Sequence, residues 1–526
     1  MIGNHGSHYG PDEFVVSSIG NLQAVLDRAA ALGGGTVHLR AGAYSTSVTY
    51  TLGDNVWLIA DPGAVITVTG AGTTLDVTAL HGINTAALFT NADHAGGNTN
   101  IRISGVTVDF DTSTKTVQRD APDRNYAAIH LGNCTDSLID ECIIDDVMLG
   151  MSAASYWRAF GVLFTNCSRS IVRDCETTNC GYEGVSFRDD CSYCTIDGLY
   201  GKGNSYHLAQ AYGWVGSDAY YGTPTNITFK GIHTDGVAAT DGILIHGANT
   251  GTKHIRFIDC RVPQIGILQH AAHVEIIGCG ADVTHANGGI YICPIGAGAI
   301  TDVMIEGYTA SPAGSSNVIR IWDGADDGCS VARVLISNCA LGANGKIFID
   351  CTAGHDMTVS DVSIVNTTMR IINVQAYGSS VVERLTISGG AIAFTDYSIM
   401  LRPRNTGVCR QVLVSGVTLR AMYPIYILGS DAMEVTDVTV QNCLVVNAST
   451  SLFYALNGGT GKRLAAIGNT IISAAYLFKE DGDGGIISGS YHSGNVCGAL
   501  TAADGADAYA PASASIEGDG TTYTWE

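Results

Sequence analysis

Val274-Glu-Ile-Ile-Gly-Cys279 stands nineteen residues after Ile255-Arg-Phe-Ile-Asp-Cys260 and repeats its pattern. Each copy reads apolar, any, apolar, any, then Gly, Asn or Asp, then a small or apolar residue. Ile101-Arg-Ile-Ser-Gly-Val106, Val334-Leu-Ile-Ser-Asn-Cys339, Val362-Ser-Ile-Val-Asn-Thr367, Val412-Leu-Val-Ser-Gly-Val417 and Val438-Thr-Val-Gln-Asn-Cys443 follow the same rule. The last position recurs at 106, 142, 175, 199, 232, 260, 279, 308, 339, 367, 390, 417, 443, 469 and 490. The steps run from 19 to 36 residues and cluster near 27, the period of a solenoid. Alternation of period two marks each copy as a strand. The Gly or Asn that follows fits a left-handed residue, which those types adopt cheaply, so the chain bends there. Each coil also carries an earlier strand, such as Gly242-Ile-Leu-Ile-His246 or Gly289-Ile-Tyr-Ile-Cys293. Two or three short strands per coil, stacked coil on coil, give an all-β chain: a right-handed parallel β-helix of about 15 or more coils. A leucine-rich repeat needs a fixed Leu and Asn consensus that is absent, and a propeller needs four antiparallel strands per ~40 residues.

Composition agrees with one long solenoid. The 526 residues include 65 Gly and 10 Pro, and only 14% are charged against roughly 25% in ordinary domains. An apolar share of 46% excludes a disordered chain. Nothing approaches the ~20 apolar residues of a membrane-spanning helix, so no membrane insertion is expected. Net charge is −22 and only seven residues are Lys, which speaks against nucleic acid as a partner. Cys142, Cys175, Cys260, Cys279, Cys339 and Cys443 share the last repeat column with Val106, Tyr308, Thr367 and Val417. A position that exchanges Cys for Val or Thr packs a core, so these read as buried free thiols. Cys191 and Cys194 form a CxxC with no second pair at ligand spacing, and no metal site is expected.

The N-terminus, MIGNHGSHYGPDEF, has neither the basic nor the apolar region of a signal peptide. It reads as a peptide over 1–13, a candidate anchor. Residues 14–35 read as a capping helix ending at Gly33-Gly-Gly35, followed by the β-helix over 36–500 and a small, acidic C-terminal extension or cap over 501–526. Solenoids need such caps to cover open core and strand edges.

Gly33-Gly-Gly-Thr-Val-His-Leu-Arg-Ala-Gly-Ala-Tyr44, then Val56-Trp-Leu-Ile-Ala-Asp-Pro-Gly-Ala-Val-Ile66, resembles the opening of the pectate-lyase-like β-helix superfamily. The resemblance implies the fold. It leaves function open among lyases, glycoside hydrolases, epimerases and viral tailspikes.

Candidate chemistry gathers where the coils lengthen. Extra residues lie at roughly 109–126, 147–160 and 204–225, after the third strand position of neighbouring coils, where they would wall a groove. They are aromatic: Tyr126, Tyr156, Trp157, Phe160, Tyr206, Tyr212, Trp214, Tyr220 and Tyr221. Trp157, Trp214, Tyr220 and Tyr221 suit the apolar faces of sugar rings. Registering Gly184-Val-Ser-Phe-Arg188, Gly242-Ile-Leu-Ile-His246, Gly266-Ile-Leu-Gln-His270 and Gly289-Ile-Tyr-Ile-Cys293 puts Arg188, His246 and His270 in one outward column. His246 and His270 then become near neighbours about 4.8 Å apart. Glu183, Asp189 and Asp190 flank Arg188, and Asp235 and Asp241 precede the His246 strand. Glycoside hydrolysis needs two carboxyl groups, ~5 Å apart for retention and ~6.5–9.5 Å for inversion. Thr240-Asp241-Gly242 with His246-Gly247 is similar to the polygalacturonase-type hydrolases, although Asp189-Asp190 stand one coil earlier than that family's paired Asp. A lyase would need a base and a cation, Ca²⁺ or an Arg, beside a uronate carboxylate. The Asp-Pro-His-Glu signature of mannuronan epimerases is absent.

These features point to a phage tailspike of the virion tail: a homotrimer that recognises a host surface polysaccharide and cleaves it as a glycoside hydrolase, without a cofactor. Buried thiols fit cytoplasmic folding, and sparse charge fits a surface shared between subunits. Other virion tail proteins would be met through the N-terminus. The alternatives are a secreted, extracellular microbial polysaccharide hydrolase or lyase, and a non-catalytic glycan-binding adhesin.

Overall fold

A residue in the left-handed region closes a strand in every coil of the computed structural model. Each of the fifteen repeat copies has positive φ at its next-to-last position, from Gly105 (72°) through Asp174 (49°) and Asn338 (54°) to Gly489 (61°). At Glu141 (52°) even a long side chain takes this conformation. Described residues are 13–69, 77–80, 83–110, 124–147, 158–204, 206–213, 222–235, 242–281, 289–296, 298–312, 316–323, 327–351, 356–429, 434–446, 448, 451–456, 460–473, 476–480 and 486–499. The chain divides into two units, 1–263 and 264–526. Each is a stack of parallel coils, and the fold class is the parallel β-helix read from the sequence.

In the first unit one sheet runs through Ile83–Asn91, Arg124–Gly132, Arg158–Thr165, Glu183–Arg188, His207–Tyr212 and the start of Ile243–Ile258. A second runs through Gly35–Leu39, Val56–Ala60, Arg102–Ser104, Leu138–Asp140, Ile171–Thr178, Thr195–Lys202 and Thr225–Lys230. A third includes Gly42–Thr46, Ala64–Val68, Thr107–Phe110 and Ile143–Asp145. The second unit repeats the plan, with one sheet through Ile290–Cys293, Ser316–Trp322, Gly345–Cys351, Ile371–Ala376, Tyr397–Pro403, Tyr423–Leu428 and Ser451–Leu456.

Alternate side chains of each strand fill the interior. Phe229 and Phe257 stack there with ring centres 5.0 Å apart. Fifteen of the sixteen cysteines are seen as buried free thiols, and among the described residues no group of three or more His, Cys, Asp or Glu is placed to hold a metal. No helix among them is long and apolar enough to cross a membrane.

The cap differs from the sequence reading at its start. Residues 14–16 belong to a strand, Glu13–Val16, paired with Gly35–Leu39, and the helix is confined to Leu22–Ala31. Its Leu22, Leu26 and Ala29 are buried. The segments 1–12 and 500–526 lie outside the described residues.

A second left-handed corner precedes the repeat strands, and the sequence did not announce it. Asp136, Arg169, Asp302, Arg333, Asp361, Arg384, Asp437 and Arg463 all have φ between 51° and 58°. Their side chains pair in two-pronged bonds along the coil axis: Arg169 with Asp136, Arg333 with Asp302, Arg384 with Asp361 and Arg463 with Asp437, at 2.6–3.0 Å. Four of the 27 Lys and Arg residues stand on this exposed ladder. Arg333 holds the Asp302 carboxyl down to about 2.

Candidate functional site

The first unit's outer sheet face owes its chemistry to a local break in alternation. Val185 and Phe187 of Glu183–Arg188 are fully buried in the core. Gly184 also faces inward, since a Cβ there would run into Thr177 Oγ1 and come within 2.6 Å of the Leu208 carbonyl. Two successive inward residues leave Glu183 on the same outer face as Ser186 and Arg188. Gly161 does the same one coil earlier, where its Cβ would meet the Gly184 carbonyl at 2.6 Å and Thr177 Cγ2 at 3.0 Å. The outer face therefore carries three columns in register: Phe160–Glu183–His207, Leu163–Ser186–Gln210–Leu244, and Thr165–Arg188–Tyr212–His246.

Glu183 is 0% exposed and Arg188 3%, with Nη2 and Oε2 3.6 Å apart. Gln210, oriented with its amide nitrogen toward Glu183, donates to both carboxylate oxygens, 2.8 Å to Oε2. Arg188 Nε donates to Ser186 Oγ at 3.3 Å. The guanidinium lies 4.6 Å from the Phe160 ring centre, 5.0 Å from Tyr212 and 6.0 Å from Tyr182. These rings provide the apolar cover and a π face for the cation. Among the described residues Nη2 has no hydrogen-bond partner, its contact to Glu183 being the 3.6 Å ion pair. Burying a pair of ions costs more than their mutual attraction returns unless the remaining donors are satisfied. A folding requirement alone would have been met by two apolar residues.

Imidazoles surround the pair. Burial pushes His207 down to about 3, with His246 adding to the effect. His130 is also held at about 3, by burial first and then by His94 and Arg188. Both are neutral at ordinary pH. His207 packs edge-on against Tyr206 at 4.3 Å, Tyr206 stacks on Tyr182 at 4.6 Å, and His246 stacks on Tyr212 at 4.7 Å.

The sequence-derived residues divide sharply. Glu183, Arg188 and His246 come together on one face. They do so through a coil that sequence reading took for a loop: His207–Tyr212 is a strand, and Tyr212 stands between Arg188 and His246. Tyr126 and Phe160 likewise sit on strands, buried, rather than in loops. Asp189 follows Arg188 with φ 56° and is 5% exposed. Asp190 Oδ1 accepts from the Thr223 backbone at 2.8 Å and fixes a turn. Asp235 is exposed beside the third sheet, where Oδ2 accepts the Tyr200 hydroxyl at 2.9 Å, apart from Glu183. His270 belongs to the second unit, its Nδ1 accepts from the Ala299 N–H at 3.2 Å, and its strand pairs Leu268 with Cys293, two residues off the expected register. Asp241, Trp157, Trp214, Tyr220, Tyr221 and Tyr156 lie outside the described residues.

Gln210, Ser186, His207 and Tyr182 were missed. The usable signal was Leu208-Ala-Gln-Ala-Tyr212, whose period of two is hidden because its inward residues are only Ala.

No protein-family model and no curated protein matches the chain. Solved structures do. A mutant tailspike protein of E. coli bacteriophage HK620 in complex with pentasaccharide is 14% identical, with a TM-score of 0.47, over 82% of this chain and 75% of that one. The A-module of mannuronan C-5 epimerase AlgE6 from Azotobacter vinelandii is 13% identical, with a TM-score of 0.36, over 92% and 96%. A glycosyl hydrolase structure from Parabacteroides merdae is 10% identical, with a TM-score of 0.29, over 47% and 95%. The tailspike and the epimerase are right-handed parallel β-helix proteins, the fold that the resemblance of the cap sequence implied.

Proposed function

We propose that this chain binds and cleaves a polysaccharide on the outer sheet face of its first unit. The observation that carries the reading is the Glu183–Arg188 pair, fully buried on the outside of a solenoid under aromatic rings. Glu183 accepts from the Gln210 amide and faces the Arg188 cation at 3.6 Å, which suits a carboxylate acting as nucleophile or base on a glycosidic centre. Arg188, the neutral imidazole of His207 and the His246 ring then orient sugar hydroxyls or a sugar carboxylate. Hydrolysis needs a second carboxyl group to protonate the leaving oxygen. Asp241, just before the His246 strand, and the largely buried Asp189 are assigned to that part.

The same reading makes the chain a phage tailspike, a homotrimer acting on a host surface polysaccharide from the virion tail. Sedimentation equilibrium is then expected to report three chain masses. A lyase is the second reading, favoured by one observation: among the described residues Arg188 Nη2 lacks a hydrogen-bond partner, which leaves it a donor for a uronate carboxylate.

The test is turnover of bacterial surface polysaccharides, read as new reducing ends and as ultraviolet absorbance of an unsaturated product. Glu183→Gln is expected to lower either signal at least about 100-fold, as loss of a covalent or proton-transfer group does. Full turnover in that variant would remove the assignment. Absorbance without excess reducing ends would select the lyase.

A further inference from the structure

The second unit carries an outer face of different composition. Its strand Tyr397–Pro403 breaks alternation as the Glu183 strand does: Ser398 and Ile399 are both fully buried, and Ser398 Oγ donates inward to the Ile392 carbonyl at 3.5 Å. Tyr397 is thereby turned outward beside Met400. In register follow Tyr423 and Tyr426 on the next coil and Tyr454 on the one after. The four tyrosine rings lie nearly parallel, with Tyr423 to Tyr454 at 4.5 Å, Tyr397 to Tyr426 at 5.5 Å and Tyr426 to Tyr454 at 5.8 Å. Rings stacked on one another along the coil axis turn their edges outward. They therefore offer a row of polar-tipped edges at about the coil spacing rather than flat faces.

Two cations stand at one end of this row. Arg370 lies 3.9 Å over the Phe394 ring, and Lys346 is close enough for Arg370 to lower its pKa further, after burial. Among the described residues neither makes an ion pair with a carboxylate. That is unexpected in a chain with 49 acidic residues against 27 basic ones. Asp396 is nearby, felt by Tyr397, and is exposed. Between cations and tyrosines sits Asn373, 8% exposed, hydrogen-bonded to Tyr397 and, among the described residues, with no partner for its Oδ1. A buried acceptor left open costs about 1–3 kcal/mol, which a ligand hydroxyl would recover.

We propose that this face is a separate binding site for an acidic saccharide. Its carboxylate or sulfate lies on Arg370 and Lys346, one sugar hydroxyl donates to Asn373 Oδ1, and further hydroxyls meet the tyrosine edges. The site holds substrate without cutting it, since among the described residues no carboxyl group stands in the tyrosine row, Asp396 lying exposed beside its first ring. It makes the chain a two-site glycan binder in which the second unit retains the polymer that the first unit processes.

The experiment uses the full chain on a microarray of acidic and neutral bacterial polysaccharides, with an oligogalacturonate as soluble competitor. Retention on at least one acidic polysaccharide is expected. Arg370→Gln and Tyr423→Ala should each weaken it about tenfold, the loss of one good polar contact. Arg384→Gly, on the exposed ladder away from both faces, should leave it unchanged. Turnover is measured beside retention in every variant, so failure of the catalytic assignment and failure of this site are read separately. The proposal is overturned if only neutral polysaccharides are retained, if none is, or if Arg370→Gln retains as the parent does. It is equally overturned if the Tyr423 variant loses retention only because an oligomer dissociates, which sedimentation detects and which would make the face a contact between copies.

Discussion

The strands bearing Glu183 and Tyr397 start alike and end in opposite chemistry. In each, two successive residues turn inward, Gly184-Val185 in one and Ser398-Ile399 in the other, and the first residue of the strand is freed to the outside. In the first unit the freed column is Phe160–Glu183–His207. In the second it carries Tyr397–Tyr423. The fold supplies the same outward slots, and the sequence decides what fills them. Fully buried charge makes the first face costly to keep folded, while half-buried tyrosine makes the second self-supporting. A costly arrangement kept under cover is where chemistry is expected; a self-supporting one suits binding.

The largest effect should come from splitting the ionic pair. Arg188→Met leaves Glu183 buried without its cation, and should lower unfolding free energy by about 3–5 kcal/mol. Adding Glu183→Gln removes the stranded charge and should restore most of the loss. Urea unfolding of parent, single and double variants measures this. A double variant no more stable than Arg188→Met would show that the two residues are not energetically coupled and would erase the contrast between faces. Tyr423→Phe, the matching change on the other face, should cost less than about 1 kcal/mol, because it removes a hydroxyl and keeps the ring.

Acid should separate the faces next. His130 and His207 titrate near 3 in the folded chain and His94 near 4, against an ordinary 6.5. The unfolded chain therefore binds more protons between those limits. Stability carried by these neutral imidazoles is fully present above about pH 6.5 and falls as pH drops toward 3. In the second unit, His270 is lowered less and is partly open to water. Hydrogen exchange at pH 7.5 and 5, corrected for its intrinsic pH dependence, should show His207–Tyr212 losing protection while Tyr423–Leu428 holds. Equal loss in both strands would assign acid sensitivity to the net charge instead.

The two faces also differ in how much of them could be read beforehand. The coil repeat was legible because each repeat copy ends at a residue in the left-handed region, and Gly, Asn and Asp advertise that position. Arg188 and His246 were legible from alternation after a glycine, and Glu183 only as a carboxylate flanking that strand. What escaped was the coil between them. Its inward positions are Ala209 and Ala211, whose small side chains give weak contrast with the outward Gln210. The outward turn of Glu183 was invisible too, since two inward residues in a row violate the period from which facing was inferred. On the second unit, each tyrosine looks like an ordinary strand residue, and only the register stacks them. Asp190 and Asp235 show the reverse error. An Asp near a turn reads equally as a catalyst or as a hydrogen-bond acceptor, and in space both have local partners at 2.8 and 2.9 Å.

The smallest effect is expected away from both faces, on the ladder of the left-handed corner. Arg384 holds Asp361 in two bonds of 2.7 and 3.0 Å, yet both side chains are nearly half exposed. Exposed pairs contribute about 0–1 kcal/mol and are screened by salt. Arg384→Ala removes the pair but also places Ala where φ is 55°, a conformation non-glycine residues adopt at a cost. Arg384→Gly removes the pair and relieves that cost. Arg384→Gly also loses the ion pair with Glu383. If the ladder matters only locally, this variant should unfold close to the parent, and the remaining difference should vanish in 1 M salt. A loss above 2 kcal/mol that persists in salt would mean that the ladder clamps adjacent coils. The contrast between ionic and aromatic faces would then extend to the corner, with ion pairs holding the solenoid as well as serving its site.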